Sequence, residues 1–157
     1  MKILFICTHN ACRSILAEAI MRHLSRSRIE AASAGSSPAG QVHPLTLQFL
    51  EAHGYSLQGL SSKDFEAVSG FLPEAVITVC DQAVCDVMPD RFGHPAWVHW
   101  GLEDPSRNNG SQQENSDAFS ATIKTLERRV GKLLDSHTKT MDKVSLGKIL
   151  VELDAVF

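Results

Sequence analysis

Lys2-Ile3-Leu4-Phe5-Ile6-Cys7-Thr8-His9-Asn10-Ala11-Cys12-Arg13-Ser14 decides how this chain is read. The apolar run Lys2–Ile6 has the length and composition of a buried strand. From Ser14 onward the spacing is helical, with Leu16, Ile20 and Leu24 on one face and Ala19 and His23 alongside. The segment between them therefore carries Cys7 to the carboxyl end of a strand, just before a helix N-terminus. Backbone N–H groups there have no intrahelical partner and bind tetrahedral oxyanions. The same field favours thiolate over thiol, so Cys7 is expected to act as a nucleophile at neutral pH. The amides of Thr8, His9, Asn10, Ala11, Cys12, Arg13 and Ser14 form the expected oxyanion cup, and the Arg13 guanidinium can fork onto two oxygens of the anion. The bland alternative is a structural thiol at Cys7 and a surface arginine at position 13; a strand before, a helix after and the Ser14 hydroxyl argue against it. Neither the lysine nor the paired glycines of a nucleotide-binding loop are present.

The rest of the chain alternates strand and helix. Ile29–Gly35 reads as a second strand. Pro44 opens a helix that ends at Gly54, a suitable C′ residue. Ser61-Ser62-Lys63-Asp64 should cap a short helix through Val68. Ala75–Val79 is a continuous apolar run, as in a strand covered on both faces, and Trp97–Trp100 is a short fourth strand. Gln112–Leu134 is a long helix with Phe119, Ile123, Leu126, Val130 and Leu134 on its buried side. Leu146, Ile149, Leu150 and Leu153 mark a last amphipathic helix, an extension that starts at about residue 140. This order implies an α/β fold with a mainly parallel sheet, whose ligands bind beyond the carboxyl ends of the strands. Cys7, Cys80 and Asp104 should then face one crevice.

Composition narrows the classes. A chain of 157 residues with 43% hydrophobic residues is expected to form a single domain over residues 1–157. A net charge of −3 argues against nucleic acid or an anionic membrane as main partner, and no stretch approaches a membrane span. The expected location is the cytoplasm, where four cysteines point to catalysis or metal binding rather than to a disulfide scaffold.

Cys80 and Cys85 admit three readings: two small core residues, a zinc pair, or a redox pair. Their spacing is not Cys-x-x-Cys and no second ligand pair appears, so no metal is expected. A strand-end position beside an expected thiolate favours the redox pair. Asp104, held by Pro105, is placed to protonate an oxygen leaving a bound oxyanion. It can equally be a turn-forming Asp-Pro, and Glu103 rivals it for the acid role. Cys12 is read as structural.

Cys7–Ser14 followed by Leu16-Ala17-Glu18 resembles the anion loop of thioredoxin-coupled arsenate reductases related to low-molecular-weight protein tyrosine phosphatases. Ser33-Ala34-Gly35, Ser62-Lys63, Val79-Cys80-Asp81, His99-Trp100-Gly101 and Asp104-Pro105 extend the resemblance over nearly the whole chain. It implies a three-layer, four-stranded parallel sheet with flanking helices, phosphatase-like and flavodoxin-related. It also implies arsenate reduction for arsenic detoxification without a cofactor, with phosphate and sulfate as competing oxyanions. By the same resemblance Asn10 braces the loop and Ser14 hydrogen-bonds the Cys7 thiolate. Cys7 attacks arsenic, Asp104 protonates the departing hydroxide, Cys80 resolves the adduct and Cys85 resolves Cys80. Thioredoxin, or glutathione with glutaredoxin, would reduce the final disulfide. Arsenate to arsenite takes two electrons, the number one dithiol supplies. The alternatives are a phosphate monoesterase, which would leave Cys80 and Cys85 idle, and an oxyanion-binding module without turnover.

Overall fold

The computed structural model describes residues 1–81, 89–136 and 140–157. Strands β1 (Lys2–Cys7), β2 (Glu30–Gly35), β3 (Ala75–Thr78) and β4 (Ala96–His99) form one parallel sheet in the order β2-β1-β3-β4. The helices are α1 (Arg13–Ser25), α2 (Pro44–Ala52), α3 (Gln112–Asp135) and α4 (Lys143–Val156). Short 3-10 turns lie at Glu66–Val68, Pro89–Phe92 and Pro105–Arg107. Among the described residues no helix is long and apolar enough to cross a membrane.

β1 is central because it can be buried on both faces. Ile3, Leu4, Phe5 and Ile6 are wholly inaccessible, each worth about 1.5–3 kcal/mol of burial. β2 is built of small residues, Ala31, Ala32, Ser33 and Ala34, against which α1 lies. The chain passes from β1 outward to β2, then returns to β3 on the other side of β1. The order of strands therefore reverses between β1 and β3, at the carboxyl ends where Cys7 and Cys80 stand.

The helix ends follow their chemistry. Pro44 opens α2 after His43, whose Nδ1 accepts the Leu45 N–H, and Gly54 follows the helix at φ +82°. The Ser111 side chain caps α3 at Glu114, and Asp142 caps α4 at Ser145. α4 runs for 14 residues and packs on β4 and α3 through Leu146, Leu150 and Leu153.

Three expectations are corrected. The buried seam of α3 ends on Leu133, not Leu134, and it includes two polar residues, Thr122 and Arg129. α1 is buried on every side from Ser14 to Met21 rather than on one face, and His23 is exposed. Residues 61–64 do cap a turn that ends at Val68, with Asp64 Oδ1 accepting the Ala67 N–H at 3.0 Å, but the expected helix is only the 3-10 turn Glu66–Val68. The physical reason is that this stretch spends its polar groups on the segment after β1. Ser62 Oγ donates to the His9 carbonyl, the Lys63 N–H donates to Asn10 Oδ1, and the Lys63 carbonyl accepts the Gly35 N–H. Backbone groups so committed are not free for a helix.

β2 ends at Gly35 because the loop after β1 lies against it. A Cβ there would stand 2.5 Å from the Thr8 carbonyl oxygen and 2.9 Å from that of Cys7. Gly35→Ala should therefore displace the loop and cost about 1–3 kcal/mol, the range for overpacking. A urea denaturation midpoint equal to the parent's would show that the loop yields freely.

Candidate active site

Between β1 and α1 the backbone turns back on itself, and three of its carbonyls are tied down from outside the loop. The Thr8 carbonyl accepts the Ser37 N–H, and that of His9 accepts the Ala39 N–H and the Ser62 hydroxyl. The Ala11 carbonyl accepts the His43 N–H and the Thr46 hydroxyl. In a trans peptide the N–H opposes the carbonyl, so the amides of His9, Asn10 and Cys12 face away from these ties. No side chain caps α1 at Cys12, and its first turn holds no acidic residue. Such an arrangement is a ready anion site.

Asn10 makes the turn possible. It takes a left-handed conformation (φ 44°), which asparagine tolerates better than other non-glycine residues, and it is wholly buried. Its side chain is oriented without ambiguity, because Oδ1 accepts the Lys63 N–H at 2.9 Å. Nδ2 consequently donates, to Ser14 Oγ at 2.8 Å and to Ser33 Oγ at 2.9 Å. Ser33 in turn donates to the Glu18 carboxylate. Because Ser14 accepts from Asn10, its own proton is free to point at the Cys7 sulfur, 2.8 Å away.

Glu18 is wholly buried, and burial pushes its carboxyl above the ordinary range. The Ser33 hydroxyl and the cations of Lys63, 3.7 Å away, and Arg22 pull it back. This network went unread from spacing. Its signal was a glutamate inside an otherwise apolar helical stretch and a serine inside a run of alanines.

Cys80 follows β3, and its sulfur lies against the residue next to Cys7. The Thr8 N–H reaches Cys80 Sγ at 3.3 Å and the Thr8 hydroxyl lies 3.5 Å from it. The next residue is fixed to β4, since His99 bridges Thr78 Oγ1 (2.9 Å) and Asp81 Oδ1 (3.1 Å). Cys85, the other expected redox cysteine, lies outside the described residues.

Arg13 stands beside Asp104. Its Nη2 is 3.3 Å from Asp104 Oδ2 and its Nη1 donates to the Leu102 carbonyl at 3.0 Å. Asp104 Oδ2 also lies 3.5 Å from Arg107 Nε, while Oδ1 accepts the Ser106 N–H and hydroxyl. Asp104 thus caps the turn Pro105–Arg107, as the Asp-Pro reading expects, and also faces Arg13. A cavity of about 720 Å³ opens here, lined in part by Arg13, Asp81, Asp104 and Arg107. The rival Glu103 lines the same cavity but is exposed.

Over residues 2–145 the sequence matches the family model for low molecular weight phosphotyrosine protein phosphatase. The chain belongs to that family. This phosphatase-family chain is also similar to arsenate reductase 1 of Staphylococcus epidermidis, 30% identical over 131 residues, covering 82% of this chain and 96% of that protein. A glutaredoxin arsenate reductase of Synechocystis is 30% identical over 104 residues, covering 66% of this chain and 78% of the relative. Among solved structures, a thioredoxin-dependent arsenate reductase from Corynebacterium glutamicum has a TM-score of 0.65 at 28% identity, covering 89% of this chain and 63% of that one. The phosphatase-type fold follows from the family match, and the four-stranded parallel sheet is this chain's own.

Cys12 is buried, and burial is the main cause that moves its thiol from 9.0 up to about 12. The folded protein therefore holds this proton after the unfolded chain has lost it. Stability should fall as pH rises through the window from about 9 to 12, by up to about 1.4 kcal/mol per pH unit from this one group. Unfolding free energies of the parent and of Cys12→Ala, compared across that window, should diverge in slope by that amount; parallel curves would contradict it.

Proposed function

We propose that this phosphatase-family chain reduces arsenate to arsenite through a relay of cysteines. The observation that carries the reading is the Cys80 sulfur at the Thr8 N–H, beside the candidate nucleophile. Ester hydrolysis has no use for a second thiol there; a two-electron reduction requires one. The similarity to proteins named arsenate reductases supports the same choice.

The Cys7 thiolate attacks arsenic(V) held by the loop amides and Arg13. A hydroxide leaves, and Asp104 supplies the proton that makes it water. The Cys80 thiolate then attacks the Cys7 sulfur; a Cys7–Cys80 disulfide forms, and the electron pair of the sulfur–arsenic bond stays on arsenic, which departs as arsenite. Cys85 attacks Cys80, frees Cys7 and leaves a Cys80–Cys85 disulfide. Thioredoxin, or glutathione with glutaredoxin, returns the dithiol; the related proteins carry both names. A relay that begins from free thiols suits the reducing cytoplasm.

The hydroxyl of Ser14 stabilises the attacking sulfur. Arg13 offers a planar fork to oxygens of the anion, a geometry a lysine ammonium cannot copy. A residual phosphatase activity is expected, since Cys7, Arg13 and Asp104 suffice for phosphoryl transfer.

Cys80→Ser should abolish arsenate-dependent oxidation of the reductant while sparing hydrolysis of an aryl phosphate, and Cys7→Ser should abolish both. If arsenate reduction survived the loss of Cys80, the relay would be wrong. Arg13→Lys should raise the arsenate KM about ten- to a hundredfold, the worth of a charge-assisted hydrogen bond. Steady-state kinetics with an unchanged KM would remove Arg13 from the anion site.

A further inference from the structure

The loop that carries Asp104 leaves β4 at Trp100, and its root is held by the C-terminal helix. Trp100 is wholly buried, and its Nε1 donates to the Leu150 carbonyl at 2.8 Å. The Gly101 N–H donates to Asp154 Oδ1 at 3.0 Å. That same oxygen lies 3.1 Å from Arg129 Nη2 of α3. Arg129 is 3% exposed and its guanidinium sits 5.5 Å from the centre of the Trp100 ring. One carboxylate thus joins α3, α4 and the first loop amide after the strand. From Gly101 the path to the site is short: Leu102 offers its carbonyl to Arg13, and Asp104 faces the same guanidinium. Pro105 stiffens the far side by fixing its own φ.

We propose that α4 positions Asp104 as the proton donor, with Asp154 as the residue through which it acts. This rests on the arsenate-reducing reading above. Leu150 and Asp154 lie beyond residue 145, where the family match ends. A carboxylate needed only to neutralise Arg129 would have no need of the Gly101 N–H. Arg129 Nε and Nη1 have no hydrogen-bond partner among the described residues, which leaves Asp154 and the Trp100 face as its compensation there. Asp154→Ala would therefore leave a buried charge unpaired and could simply unfold the protein.

The test uses a pair of variants that separates folding from positioning. Arg129→Met with Asp154→Leu removes both charges together and keeps the interior apolar, so it should fold, yet it lacks the acceptor for Gly101. Its kcat for arsenate reduction should fall at least about tenfold, part of the ~10²–10⁴ a positioned acid supplies, with the arsenate KM within about twofold. Asp154→Asn keeps an oxygen for the Gly101 N–H and should keep its kcat despite lower stability. In an Asp104→Asn background the Met/Leu double change should cost nothing further, because both act on one proton transfer. A folded Met/Leu variant with the parent's kcat, or losses that multiply in the combined variant, overturns the proposal. Amide exchange gives a readout free of turnover: the Gly101 amide should exchange faster in the Met/Leu variant and the α1 amides should not. If the parent protein reduced no arsenate, the functional reading would fail; unchanged protection at Gly101 would instead sink the inference itself.

Discussion

The carbonyls of Thr8, His9 and Ala11 are all claimed by donors outside their loop, and the rest of the site depends on this constraint. A peptide unit whose oxygen is held on one side must present its N–H on the other. The donors come from the segment between β2 and α2, from Thr46 in the first turn of α2 and from residue 62, so the cup is shaped by the chain wrapped around it. Each bond is worth only about 1 kcal/mol net. Together they prevent the loop from relaxing into a state where carbonyl oxygens would repel an incoming anion. Preorganisation of this kind is where electrostatic catalysis finds most of its advantage.

Beneath the cup lies a buried polar chain that runs from Glu18 through Ser33 and Asn10 to Ser14. Burying these groups is costly unless all are paired. The pairing draws on α1, β2 and the stretch near Lys63, so the site and the fold are closed by the same bonds. The loop that this polar chain supports leaves Gly35 no room for a side chain and claims the polar groups of Ser62 and Lys63.

Much of this was legible in the sequence. The apolar run before Cys7, the helical spacing after it and the strand-like Ala75–Val79 fix a parallel sheet with Cys7 and Cys80 at its carboxyl end. The resemblance carried by Cys7–Ser14 and by Asp104-Pro105 pointed to the family. What resisted reading was polar and non-local. Glu18, Ser33 and Lys63 meet only after folding, and periodicity sees just their failure to be apolar. Arg129 and Thr122 sit on the buried side of α3, where a search for an apolar stripe passes them over. Of the capping stretch Ser61–Asp64 only Asp64 makes the cap, because Ser62 and Lys63 are drawn into tertiary hydrogen bonds, which routinely outweigh local propensity.

The sulfur of Cys80 and the carboxylate of Asp81 are moored to different parts of the molecule, one to Thr8 and the other to His99. Rotation of the sulfur about its own Cα–Cβ bond slips only the line to Thr8, while the line to His99 holds the neighbouring residue in place. At roughly 1 kcal/mol for each bond, such a rotation is well within thermal reach on the timescale of turnover. The moorings therefore choose the resting berth of Cys80 without confining it there.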